Sequence, residues 1–86
     1  MNPESHRAPT QDEIDEESRR TRRLRIVVNL ALEVISQGQL PYEEATELIA
    51  ATRRVALQLF PDKGSTYDLI YAAKFDRLMR EFYRMQ

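Results

Sequence analysis

Leu57-Gln58-Leu59-Phe60-Pro61-Asp62-Lys63-Gly64-Ser65 separates two amphipathic segments, and its reading decides the fold. Pro61 has no amide proton and disfavours helical geometry at Phe60, so a helix arriving from upstream stops there. Gly64 gives the turn conformational freedom, and Ser65 with Asp68 has the S-x-x-D spacing of a capped helix start. Upstream, Tyr42, Ala45, Leu48, Ile49, Thr52, Val55, Ala56 and Leu59 recur at three- and four-residue steps. Downstream, Tyr71, Phe75, Leu78, Phe82 and Met85 form one stripe, flanked by Tyr67, Ile70 and Met79. The stretch is therefore the turn between two helices.

Further upstream, Gly38 suits a left-handed helix end and Pro41 suits the first turn of a new helix. Before Gly38, Leu24, Val27, Val28, Ala31, Val34 and Ile35 share a helical face, which Ile26 and Leu30 widen. A short connection at 38–41 makes these two helices antiparallel neighbours. Thr10 and Glu13 have capping-box spacing, and Asp12, Glu13, Asp15, Glu16 and Glu17 suit a helix N-terminus. From 11 to about 24, however, only Ile14 is offered to a core, so the segment projects or frays.

These observations predict an all-α fold, an antiparallel three-helix domain with a flexible or projecting N-terminal arm. The helices fall at about 22–37, 42–60 and 66–85. Residues 1–12 form a disordered tail and 13–86 a single small helical domain. The expected core is Leu24, Val28, Ala31, Ile35, Leu48, Ile49, Val55, Leu59, Ile70, Phe75, Leu78 and Phe82.

The 86 residues bound the chain to one domain with a modest core, to which self-association or a partner would add. With no cysteine there is no disulfide, thiolate ligand or thiol nucleophile. Net charge is -1, so no global attraction to polyanions exists. No stretch approaches the roughly 20 apolar residues of a membrane span. No signal-like apolar run opens the sequence, and a cytoplasmic protein is expected.

A reaction centre does not emerge. His6, the one histidine, falls in the tail without fixed neighbours to tune it. Ser65 has no base to activate it. Glu43, Glu44 and Glu47 lack the spaced oxygen ligands of a cation loop and read as a solvated helix start. The two glycines are too far apart for a phosphate cradle. No enzyme, cofactor or metal is expected. Asp15–Arg19, Glu16–Arg20, Asp76–Arg80 and Arg77–Glu81 read as local surface pairs, whereas Arg53 and Arg54 have no local acid. Arg19, Arg20, Arg22, Arg23 and Arg25 form a compact basic band, a phosphate-contacting candidate without interleaved aromatics.

The segment Ala51-Thr52-Arg53-Arg54-Val55-Ala56-Leu57-Gln58-Leu59-Phe60-Pro61-Asp62-Lys63, with Phe75, Leu78, Phe82 and Met85, resembles a J-domain's second helix, loop and third helix. The likeness covers 48–85. It implies contact with an ATP-driven heat-shock chaperone through Arg53, Arg54, Pro61, Asp62 and Lys63. Phe60 stands where that family carries the histidine of His-Pro-Asp, and Thr52 where it carries an aromatic, so the likeness is to a degenerate member.

Apolar residues also exceed what three packed stripes need. Leu57, Phe60, Met79 and Tyr83, rimmed by Arg53 or Arg54, are the types enriched at protein contacts. The sequence therefore points to a non-catalytic protein-interaction module that binds a protein partner or a second copy. The alternatives are a nucleic-acid-associated factor using the basic band and a degenerate J-domain-like module.

Overall fold

A computed structural model describes residues 8–83. These residues form three helices, with no strand among them. Helix α1 spans Gln11–Ser36 and α2 spans Tyr42–Leu59. The third helix has three parts: α3 at Gly64–Tyr67, a π-helical turn at Asp68–Ala72, and α4 at Ala73–Phe82. The arrangement is the antiparallel three-helix domain expected, with α1 packed on both α2 and α4 and α2 also meeting α3.

The helix ends follow from their residues. Thr10 accepts a hydrogen bond from the Glu13 amide through its side-chain oxygen, 3.1 Å away, as the capping spacing predicted. Gly38 has φ +71°, a left-handed turn that a side chain would strain. Pro61 ends α2 at Leu59, and the Lys63 amide donates to the Phe60 carbonyl to close the turn. Two details differ from expectation. The third helix starts at Gly64, so Ser65 lies inside its first turn and caps nothing, while Asp68 is taken by Arg53. Gly64 has no positive φ; an added Cβ would meet the Leu57 side chain at 3.4 Å.

The N-terminal arm is the largest departure in length. Helix α1 begins at Gln11 and not near 22, and every residue from 11 to 19 is exposed. The arm projects as helix, so Gln11 and Asp12 belong to α1 and not to the tail. His6 and Met85 lie outside the described residues.

The core is built on Val28, Ala31 and Ile35 of α1, Ala45, Thr52 and Ala56 of α2, and Tyr67 and Phe75 of the third helix. Small residues occupy the midline of α2, which brings its backbone close to α1. Leu48, Ile49, Val55 and Leu59 therefore sit half-buried on its flanks, and Leu24 and Leu78 are likewise half-buried. The buried Thr52 hydroxyl donates to the Leu48 carbonyl at 2.7 Å.

Ile70 and Phe82 were expected inside but are 48% and 42% exposed. The π turn accounts for Ile70. Tyr67 and Phe75, eight residues apart, would diverge by about 80° on a regular α-helix. An i→i+5 turn absorbs one additional residue and returns Phe75 to the face of Tyr67. The same rotation turns Ile70 outward, and Leu69, on the side opposite Tyr67, is 82% exposed. Phe82 sits in the last turn, where its ring lies against the bare backbone of Gly38. On α1, Ile26, Leu30 and Val34 face solvent. None of the helices, over the described residues, is long and apolar enough to cross a membrane.

Candidate protein-interaction site

The four apolar residues expected to share one surface are divided between the two ends of α2, which is 18 residues long, roughly 25 Å. Met79 and Tyr83 pack at its N-terminal end, against the core. The Tyr83 hydroxyl donates to the Leu40 carbonyl at 2.6 Å, and its ring meets Tyr42 edge-on, centroids 6.2 Å apart. These two side chains are thus spent on internal packing. Leu57 and Phe60 lie at the other end, both half-buried.

The arginines expected on the rim are paired. The Arg53 guanidinium grips Asp68 through two hydrogen bonds, Nε to Oδ1 at 2.9 Å and Nη2 to Oδ2 at 3.0 Å. This fork ties α2 to the π turn. It raises the Arg53 pKa and holds the Asp68 carboxyl below the usual carboxylate range, in each case chiefly through the hydrogen bond. Arg54 donates to Glu47 at 3.0 Å, two turns earlier on α2. Neither pair follows the three- or four-residue rule, which is why both arginines read as unpaired in the sequence.

Around Phe60 a cleft of about 220 Å³ opens between α1 and the third helix. Thr21 and Leu24 form one wall, Phe60 and Lys63 one end, and Ile70 and Tyr71 the opposite wall. Tyr67 also borders it and is 6% exposed. The Tyr67 hydroxyl has no hydrogen-bond partner among the described residues. Burial, foremost, raises the pKa of this phenol. Its ring stacks at a tilt on Tyr71, 5.3 Å between centroids. Arg20 closes the neighbouring edge: its guanidinium lies 5.4 Å from the Phe60 ring centroid, and Nη1 donates a long 3.5 Å bond to the Leu59 carbonyl. Arg20 Nε is buried without a partner.

Of the basic band, Arg20 has therefore turned inward, away from Glu16, while Arg19, Arg22, Arg23 and Arg25 stay exposed. Asp15 accepts from Gln11 at 2.9 Å and not from Arg19. Arg80 donates to the Asp76 backbone carbonyl at 3.4 Å. Pro61, Asp62 and Lys63 are exposed at the cleft end of the molecule.

Sequence reading found Phe60 but missed Thr21, Tyr67 and Tyr71 as its neighbours. Ile70 carried a signal, an apolar residue flanking the main stripe, but was assigned to the core. The cleft's chemistry is mostly apolar, with one cation, Lys63, at its mouth. No group of His, Cys, Asp and Glu able to hold a metal occurs among the described residues. Compared with family models, with curated proteins and with solved structures, the chain has no match in any of the three.

Proposed function

We propose that this protein is a non-catalytic, helical protein-interaction module, and that the Phe60 cleft receives apolar side chains of a protein partner. The observation that carries this reading is the apolar cleft bordered by the outward-turned Ile70, with Leu69 exposed on the same π turn. Concave, apolar sites with one or two polar groups are the usual seats of anchor residues. The π turn supports the reading as well, because it turns Ile70 outward beside the exposed Leu69. On the J-domain likeness, the chaperone-facing loop Pro61, Asp62 and Lys63 adjoins this cleft, and the two versions of the reading use one end of the molecule.

Peptide display against the immobilised protein tests the proposal. Selected peptides are expected to carry aliphatic or aromatic anchors and to lose binding to Ile70→Lys. Leu30→Lys, an equally exposed change on α1, is the control and should bind like wild type. No enrichment, or peptides that bind Ile70→Lys and wild type alike, removes the cleft as a contact site.

A second reading rests on exposed Arg19, Arg22, Arg23 and Arg25, a nucleic-acid contact through phosphates. Its affinity falls steeply with salt. Titration against duplex and single-stranded DNA decides it, and absence of binding at low salt ends it.

A further inference from the structure

The arm of α1 is a helix whose residues 11–19 are all exposed. A helical stretch of that length is marginal in water without tertiary contacts. One face of it is shaped: Ile14, Glu17, Ser18, Thr21, Arg22 and Arg25 frame a shallow groove of about 440 Å³, all from α1. Long side chains stand at its ends and the small Ser18 and Thr21 at its middle.

The spacing of these six residues is the same read in either direction. The steps between them are three, one, three, one and three. Two such faces laid antiparallel about a two-fold axis between Ser18 and Thr21 therefore match residue for residue. Glu17 meets the partner's Arg22, Ser18 meets the partner's Thr21, and Ile14 meets the aliphatic stem of the partner's Arg25. Each contact occurs twice, as an isologous interface requires. The small central pair lets the backbones approach. Beyond the groove, the acidic half of each arm, Asp12 to Glu17, lies along the basic half of the other, Arg19 to Arg25. A parallel pairing would set acid against acid.

Among the described residues the Glu17, Arg22 and Arg25 charges take part in no ion pair, unlike those of Arg53–Asp68 and Arg54–Glu47. Glu17 has Thr21 four residues on, and the arginine three residues on, Arg20, is turned into the domain. We infer that two copies of this chain pair through the α1 arm, antiparallel, with Glu17 of each copy against Arg22 of the other. This surface shares only Thr21 with the Phe60 cleft, so failure here and failure of the cleft are separate results.

Charge reversal in the full chain tests the inference by sedimentation. Wild type is expected to show a monomer–dimer equilibrium in the micromolar range that weakens with salt. Glu17→Arg and Arg22→Glu, each alone, set like charges together twice and should weaken self-association by roughly tenfold or more. An equal mixture of the two variants restores opposite charges at both contacts, and dimers should return as mixed pairs. Circular dichroism on these exposed-site variants checks that the helices persist. A wild type strictly monomeric at high micromolar concentration overturns the inference, as do single variants that associate like wild type or a mixture that stays monomeric. An arm that binds DNA through Arg22 while remaining monomeric overturns it in favour of phosphate contact.

Discussion

At the N-terminal end of α2, the Tyr83 hydroxyl reaches the Leu40 carbonyl and the Tyr42 ring closes over it. At the C-terminal end, the Tyr67 hydroxyl is buried without a partner beside an open apolar cleft. Both ends use tyrosine, a helix terminus and a turn. At the first, the Tyr83 hydroxyl has its acceptor and the ring has an aromatic neighbour. The second keeps an unmet polar group and leaves Ile70 and Leu69 facing solvent. In a domain this small, where each buried group is a sizeable fraction of the stability, the unmet hydroxyl makes the cleft end the less completely satisfied of the two.

Phe75 lies between the two ends, 1% exposed, and holds them in one core. Phe75→Ala should cost about 3–5 kcal/mol and erase the contrast by unfolding both ends together. Urea melting measures it, and a variant that melts like wild type removes Phe75 from the core.

The tyrosine hydroxyls give a sharper comparison, because their removal should act with opposite sign. Tyr83→Phe deletes a hydrogen bond and should lower stability by about 1 kcal/mol. Tyr67→Phe deletes a buried hydroxyl that bonds to nothing among the described residues and should raise stability by about 1 kcal/mol. Thermal melting of the two variants beside wild type settles the pair; a loss in both would mean that the cleft end is as well satisfied as the other. Alkaline pH extends the test. The folded-state phenol of Tyr67 titrates above its ordinary value, so as pH rises past that value the unfolded chain releases a proton that the folded chain retains. Wild type should lose stability across that window, and Tyr67→Phe should lose less.

The smallest effect concerns the fork that anchors the π turn. Asp68 has a depressed folded-state pKa, so its contribution is present above the ordinary carboxylate value and disappears as pH falls through the depressed one. Asp68→Asn should be slightly less stable than wild type at neutral pH and converge with it in acid. Both partners are exposed, which keeps the difference small. Parallel pH melts check the convergence.

Much of the architecture was legible. Gly38, Pro41 and Pro61 punctuate the chain through backbone constraints that act locally, and the α1 and α2 stripes follow the helical period. What local rules do not see was lost. The Arg53–Asp68 fork joins residues fifteen apart across two helices. Tyr71, Phe75, Leu78 and Phe82 fit a regular helix as well as an interrupted one, so nothing in their spacing announces the π turn. That turn decided which of Ile70 and Tyr67 is buried, and with it where the cleft lies. The arm was ambiguous for another reason: its capping and charges favour helix, while its lack of apolar residues removes the periodicity that would have extended α1 to Gln11.

The π turn also has a meaning for chain length. Eight steps from Tyr67 to Phe75 do the work of seven, so the segment 68–72 carries one residue more than the packing of its neighbours consumes. Shortening the chain there, by removal of Leu69, leaves Tyr67 and Phe75 in phase on an uninterrupted α-helix. The same deletion within α2 would rotate its small midline away from α1. The molecule thus holds a spare residue inside a helix, where a deletion would ordinarily put the packed face out of phase, and it adjoins the Ile70–Tyr71 wall of the open end.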